Sequence, residues 1–170
     1  MTTGCDLVAT RLGQRLAAMK SVRVVFAESC TGGMAAALVT QIPGISDYFC
    51  GSAVTYRVDT KLRWLNVSPQ IVATHTPESL ESSLALAVNV LAATPEATVS
   101  AAITGHLGPG ISECLDGIVY VAMAKRTNDE FAEIGTFAYR LKTSDRVSRQ
   151  VEAARWMLSQ LTDVLNSECQ

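Results

Sequence analysis

The sequence predicts one α/β domain, a layered α/β/α sandwich built around a mixed β-sheet. Short β-branched runs alternate with stretches in which apolar residues recur at helical spacing, the pattern of strands connected by helices. Two strand-like runs then follow one another directly, as in an antiparallel hairpin, which makes the sheet mixed. With 170 residues, 48% of them hydrophobic, and no linker or repeat, residues 1–170 are assigned to a single domain with its own core.

The first elements follow from apolar periodicity and from glycine and proline. Apolar residues at three- and four-residue intervals predict a helix over 6–20. The β-branched run 22–27 predicts a buried strand. A second helix is expected over 34–40, and Pro43-Gly44 ends it.

The middle of the chain continues the alternation. Residues 48–56 predict a second strand, and residues 60–65 a short helical segment. The next helix is predicted to run to Ala92, with Thr76 as its N-cap and Pro77 at its first position.

The last third predicts three strands and a long helix. The strands are expected over 98–104, 117–125 and 131–139, with a hairpin turn at 127–129 between the last two. The final helix is predicted over 144–165.

Composition narrows the class of protein. A formal net charge of −2 and a pI near 5.7 give no reason to expect a nucleic-acid or membrane partner. The cysteines are odd in number, scattered and without a CxxC pair: Cys5, Cys30, Cys50, Cys114 and Cys169. Free thiols and the absence of an apolar leader predict a cytoplasmic protein. Only two histidines occur, so a histidine-rich metal site is not expected.

The segment AESCTGG, residues 27–33, ends the first predicted strand and opens the second predicted helix. Such a junction exposes backbone N–H groups, and the helix dipole adds partial positive charge, which favours an anion. Ser29 and Thr31 would add hydroxyl donors. Equally, Thr31 caps the helix and the glycines allow a tight turn. The residues alone leave both interpretations open.

A second glycine-rich loop follows the strand that ends at Thr104-Gly105. Loops at the carboxyl ends of strands converge on the ligand in open α/β sheets, so two such loops predict a shared pocket. His106 lies in the same loop, but a single loop histidine is weak evidence for a catalytic residue.

Ser46, Tyr56 and Lys61 form a third group. A serine nucleophile needs a base, and no histidine–aspartate pair is at hand. A buried lysine serves when its pKa falls from about 10.4 toward about 7–8, and a tyrosine can relay the proton. The alternative is a turn serine, a half-buried tyrosine and a solvated lysine.

These motifs, in this order, resemble the CinA C-terminal domain family, whose stand-alone members are nicotinamide-nucleotide amidases. The matching segments are AESCTGG, the Pro-Gly turn with Ser46, VTY at 54–56, Lys61, ITG to GP at 103–109, and GIVYVA at 117–122. The resemblance implies a metal-independent hydrolase without a cofactor. It would convert nicotinamide mononucleotide into nicotinate mononucleotide and ammonia.

The resemblance also implies roles for individual residues. Ser46 would be the nucleophile, Lys61 its base and Tyr56 the proton relay, in an acyl-transfer mechanism. Backbone N–H groups near Ser46 or at Thr104-Gly105 would hold the oxyanion. The expected substrate-binding residues are Glu28, Ser29, Thr31, Gly32, Gly33, Thr104, Gly105 and Arg146. The glycine pair would then be a seat for the substrate phosphate.

Self-association into a dimer or higher oligomer is a further implication of the resemblance. Arg57 departs from the residue usual in the family, and Arg149 is displaced from the position of the family's helical arginine. Arg57 is interpreted as pointing outward.

Two alternatives stay open. The loop 106–116 departs from the family pattern, which would suit a catalytically silent nucleotide-binding or sensing protein of the same fold. A thiol enzyme using Cys30 at a helix N-terminus is the other.

Overall fold

The computed structural model describes residues 5–128 and 130–167, which form a five-stranded sheet between two helical layers. The strands are β1 (Val24–Glu28), β2 (Phe49–Val54), β3 (Val99–Gly105), β4 (Ile118–Thr127) and β5 (Glu130–Arg140). The helices are α1 (Leu7–Met19), α2 (Met34–Val39), α3 (Val58–Trp64), α4 (Pro69–His75), α5 (Leu80–Ala92) and α6 (Arg146–Ser167), with a 3-10 turn at Ile45–Asp47.

The sheet is mixed, as predicted. Its strand order is β2-β1-β3-β4-β5; β1 pairs in parallel with β2 and β3, whereas β4 and β5 are antiparallel additions. Glu28 lies opposite Val54 on one side and Ile103 on the other. The three parallel strands therefore end together, at an edge of the sheet that we call the carboxyl edge; the opposite one is the amino edge.

Each face of the sheet has its own core. Phe26 and Ile103 face the layer of α1, α2 and α6, while Ala27 and Ala102 face the layer that contains α5. Neighbouring residues of a strand thus serve opposite layers, as the two-residue period of a strand requires. The predicted α/β/α sandwich is confirmed.

The start of α5 differs from the prediction. Ser79, not Thr76, is its N-cap, and the Ser79 hydroxyl accepts a hydrogen bond from the N–H of Ser82. Thr76 has φ +69° and ψ 159°, outside the helical region, and its carbonyl accepts hydrogen bonds from the Ser79 and Ser82 hydroxyls. The sequence predicts no helix at the Ser68-Pro69 pair, but α4 starts there with Ser68 as its N-cap.

The predicted antiparallel arrangement of the last two strands is confirmed, although the turn residue Asp129 lies outside the described residues, as does Cys169. Within residues 5–128 and 130–167, none of the helices has the length and apolar character needed to cross a membrane.

Candidate active site

A serine and a lysine share a hydrogen bond at the carboxyl edge. The Lys61 Nζ donates to Ser29 Oγ at 2.6 Å and to the carbonyl oxygen of Thr55 at 2.9 Å. The Lys61 side chain is fully buried and Ser29 is 4% exposed. The geometry is that of a base held within proton-transfer distance of a hydroxyl.

The ends of β1 and β2 bring these two side chains together. The carbonyl of Glu28 accepts a hydrogen bond from the N–H of Thr55, which keeps the two strand ends adjacent. After β2 the chain turns into α3, where the hydroxyl of Thr60 accepts a hydrogen bond from the N–H of Arg57. Lys61 lies in the middle of α3, and its amine reaches back to Ser29.

Burial lowers the pKa of the Lys61 amine, because a charged ammonium loses hydration inside the protein. The negative charge of Glu78 and the neighbouring Cys30 oppose that shift without cancelling it. A lowered pKa increases the neutral, proton-accepting fraction of the amine at ordinary pH, which is the state a general base requires.

The predicted pairing of Ser46 with Lys61 is wrong. Ser46 is exposed in the 3-10 turn before β2, at the amino edge, whereas Lys61 follows the other end of that strand. Six residues of extended strand at about 3.3 Å each separate these two ends by about 20 Å. No N–H group near Ser46 can therefore stabilise an oxyanion on a substrate beside Lys61.

The predicted phosphate seat is filled by the chain itself. The fully buried carboxylate of Glu28 accepts hydrogen bonds from the Thr31 hydroxyl at 2.7 Å and from the N–H of Gly33 at 3.0 Å. The N–H groups of Ala35 and Ala36 and the Ser52 hydroxyl also donate to it. Glu28 therefore satisfies the Thr31 hydroxyl and the N–H groups at the start of α2, and the structure gives no support to a substrate phosphate at Glu28, at Gly33 or at the Thr31 side chain.

The turn after Ser29 nevertheless leaves two donors. Among the described residues, neither the backbone N–H of Cys30 nor that of Thr31 donates a hydrogen bond to another residue. Gly32 closes the turn with φ +60°, and its N–H donates to the carbonyl of Ser29. A Cβ at Gly32 would lie 3.0 Å from Nε2 of Gln150, so α6 packs closely there.

Thr104 and Gly105 lie at the carboxyl edge as predicted, but they serve the packing of the sheet. The buried hydroxyl of Thr104 is 2.9 Å from that of Ser83 on α5. A Cβ on Gly105 would lie 2.6 Å from the carbonyl oxygen of Ile118, so β4 leaves no room for a side chain. The structure gives no support to a substrate contact by either residue.

Tyr56 and Arg146 form the exposed rim of the site. The guanidinium of Arg146 donates to the Tyr56 hydroxyl at 2.8 Å and to the carbonyl oxygen of Gly108. Tyr56 is 55% exposed, and its hydroxyl bonds to Arg146 rather than to Ser29 or Lys61. Arg57 is also exposed, as interpreted from the sequence.

Two further arginines hold the loop 106–116, and one of them was not among the predicted site residues. Arg149 makes a bidentate pair with Asp116 at 2.7 and 2.8 Å, which lowers the pKa of that carboxyl. Arg140, the missed residue, donates to the carbonyl oxygens of Cys114 and Asp116. His106 is half-buried, and its backbone pairs with that of Gly117 and Ile118.

Cys30 is not suited to nucleophilic chemistry. Burial raises the pKa of its thiol to about 12, so the thiolate is scarce at neutral pH. The thiol-enzyme alternative therefore loses its physical basis.

Comparison with known proteins gives the family. A family model described as the CinA C-terminal domain matches residues 6–165. A CinA-like protein from Myxococcus xanthus is 41% identical over 100 residues, which are 58% of this chain and 24% of that protein. The chain spans about a quarter of the length of the curated relatives it matches.

Solved structures agree over almost all of the chain. A competence-damaged protein (CinA) superfamily protein from Klebsiella pneumoniae superimposes with a TM-score of 0.84 at 26% identity, covering 94% of this chain and 96% of that one. The competence/damage inducible protein CihA from Agrobacterium tumefaciens gives 0.83 at 26% identity, covering 96% and 99%. Because the family model spans nearly the whole sequence and the fold agrees throughout, this protein belongs to the CinA C-terminal domain family.

Proposed function

We propose that this protein is an amidohydrolase in which Ser29 is the nucleophile and Lys61 the general base. One observation carries the proposal: a fully buried lysine amine donates at 2.6 Å to a serine hydroxyl, at the edge of the sheet where the parallel strands end. A buried lysine with a lowered pKa has a clear use as a base and little value as a structural cation.

The first half-reaction forms an acyl-enzyme. Neutral Lys61 accepts the hydroxyl proton of Ser29 while Ser29 Oγ attacks the carboxamide carbon. The C–N bond of the tetrahedral intermediate then breaks, and the Lys61 ammonium gives its proton to the departing nitrogen, which leaves as ammonia. The product is an ester of Ser29.

The second half-reaction restores the enzyme. Lys61 takes a proton from a water molecule, whose oxygen attacks the ester carbon. The ester bond breaks, the proton returns to Ser29 Oγ, and the carboxylic acid leaves. One water is consumed and one ammonia is released in the complete cycle.

The free N–H groups of Cys30 and Thr31 are the proposed oxyanion donors. They follow the nucleophile directly in a tight turn, and neither donates to another of the described residues. Donors fixed before the reaction stabilise the charge that develops on the carbonyl oxygen. They replace the donors expected near Ser46 and at Thr104-Gly105.

Nicotinamide mononucleotide is the proposed substrate, on the strength of the family resemblance and of the rim. Because Glu28 fills the turn before α2, the substrate phosphate has to bind elsewhere. Arg146 and Arg57 are exposed cations at the carboxyl edge, and the ring of Tyr56 offers a surface on which a pyridine can stack. A role for Tyr56 in proton transfer stays a prediction, as do self-association and cytoplasmic location.

Ammonia release from nicotinamide mononucleotide tests the proposal. We expect turnover by the wild type, and a loss of kcat of at least about 10³-fold for both Ser29→Ala and Lys61→Met. Ser46→Ala, the matched control at the amino edge, should keep full activity.

Three results would contradict the assignment: full activity of Ser29→Ala, loss of activity only in Ser46→Ala, or no ammonia from any nucleotide amide. Thermal stabilisation by the nucleotide without turnover would favour the silent binding protein instead.

A further inference from the structure

We infer that Glu28 is a positioning residue, whose buried carboxylate holds the turn that carries the nucleophile and the two oxyanion donors. This inference rests on the proposed function, since it assigns Glu28 a part in the chemistry of Ser29. It gives a role to a fully buried acid beside the dyad that the mechanism does not use.

The carboxylate is surrounded by donors. Its Oε2 accepts from the Thr31 hydroxyl at 2.7 Å and from the N–H groups of Gly33 and Ala35, both at 3.0 Å. Its Oε1 accepts from the N–H of Ala36 at 3.0 Å and from the Ser52 hydroxyl at 2.9 Å. An ionised carboxylate offers about four lone-pair sites and no donor, so these five contacts use its full capacity.

Strand alternation links this cluster to the nucleophile. Glu28 and Ser29 are neighbours, so their side chains leave β1 on opposite faces. Glu28 points to the N–H groups of α2, and Ser29 points to Lys61 of α3. Fixing the Glu28 side chain on one face therefore fixes the direction of Ser29 on the other.

The hydrogen bond from Thr31 reaches into the turn itself. Residues 29–32 form the turn, and Thr31 is tied to Glu28 by the shortest of the five contacts. Because the free N–H groups belong to Cys30 and Thr31, this bond sets their direction relative to Ser29 Oγ. The Glu28 carbonyl also accepts from the N–H of Thr55, whose own carbonyl holds Lys61.

The competing explanation is that Glu28 only stabilises the start of α2. A purely structural role would lower the stability of the fold and leave the turnover of folded protein unchanged. A positioning role lowers kcat in folded protein and leaves KM nearly the same, because misdirected oxyanion donors weaken transition-state binding selectively.

Glu28→Gln is the decisive variant, because it keeps the shape but replaces one acceptor oxygen with an NH2 group, a donor that would face the donors of the turn. We expect kcat for nicotinamide mononucleotide to fall about 100-fold with KM changed less than about threefold, the effect of losing one oxyanion donor. Leu161→Ala, a buried core substitution in α6, is the control that loses stability, and its kcat should stay within about twofold. A Glu28→Gln protein with wild-type kcat, or equal losses in both variants, overturns the inference.

Thr31 supplies a second test if Glu28→Gln does not fold. Thr31→Val removes the hydroxyl and keeps the shape, whereas Thr31→Ser keeps the donor. We expect the valine variant to lose kcat and the serine variant to retain it; full turnover by Thr31→Val would refute the positioning role.

Labelling with a fluorophosphonate separates failure of the proposed function from failure of this inference. Ser29 Oγ forms a bond to phosphorus as the P–F bond breaks, fluoride leaves, and Lys61 takes the hydroxyl proton. If nicotinamide mononucleotide is not hydrolysed, faster labelling of Ser29 in the wild type than in folded Glu28→Gln still supports positioning. Equal rates, or an unreactive wild-type Ser29, overturn it.

Discussion

Lys61 makes the stability of this fold depend on pH in a way that one substitution isolates. Burial lowers the pKa of its amine below the ordinary value of 10.5, whereas the unfolded chain keeps that value. Between the two pKa values the unfolded state binds more protons than the folded state. The free energy of unfolding that Lys61 contributes therefore rises with pH across this window.

The size of the effect follows from the pKa difference. Each unit by which burial lowers the folded pKa adds about 1.4 kcal/mol to the rise in free energy of unfolding. Lys61→Met removes the charge and keeps the long side chain, but leaves the Thr55 carbonyl without its donor. That loss costs about 1–3 kcal/mol and does not vary with pH. It therefore lowers the free energy of unfolding of Lys61→Met by the same amount at every pH and does not change how the difference from the wild type depends on pH.

Urea unfolding of both proteins between pH 6 and pH 9 measures the difference. The upper limit is pH 9 because the Cys30 thiol also titrates above this pH. Its pKa is 9.0 in the unfolded chain and about 12 in the folded one. We expect the free energy of unfolding of the wild type to gain on that of Lys61→Met as the pH rises. A difference that stays constant within about 0.5 kcal/mol over this range would show that the pKa of the amine does not fall within it, and the lysine base would have to be abandoned.

Two further predictions concern buried positions. A maleimide at pH 8 should label exposed Cys114 quickly and spare Cys30 until the chain is unfolded, because burial raises the Cys30 pKa to about 12. Peptide mass mapping distinguishes the two cysteines, and rapid labelling of Cys30 would contradict its burial. Gly105→Ala should lower the free energy of unfolding by about 3 kcal/mol, since the new Cβ meets the Ile118 carbonyl at 2.6 Å and φ is +154°. Gly110→Ala, at φ +92° with nothing within 4 Å, should lower it by only about 1 kcal/mol in the same denaturant titration, and equal losses would contradict the packing argument.

The fold was predictable because β1 is a short, β-branched and buried run and because α1 and α6 are amphipathic. The one misplaced start shows the limit of that reasoning. Ser68-Pro69 and Thr76-Pro77 carry the same helix-start pattern, yet only the first begins a helix at its proline. The carbonyl of Thr76 instead accepts hydrogen bonds from the hydroxyls of Ser79 and Ser82. The helix-start preference of the Thr-Pro pair does not predict these bonds.

The site was half predictable. The motifs predict both Lys61 and the AESCTGG turn as parts of the site, but they pair the lysine with Ser46, whereas the structure pairs it with Ser29. Ser46 lies 15 positions before Lys61 and Ser29 lies 32 before it, yet β2 carries the chain away from Ser46 and toward the end of β1. A stricter use of one rule would have found Ser29: side chains that follow the carboxyl ends of adjacent parallel strands meet at the same edge.

The predicted anion seat and the observed one differ in a way that bears on specificity. The N–H groups at the start of α2 do bind an anion, but it is the carboxylate of Glu28. Its hydrogen bonds to Thr31 and to the start of α2 hold this turn from within the protein. The Glu28 carboxylate also excludes a second anion from the same donors, so the proposed recognition of a phosphate falls to exposed cations at the rim, such as Arg146. We therefore interpret AESCTGG as a turn that positions Ser29 and not as a phosphate-binding loop.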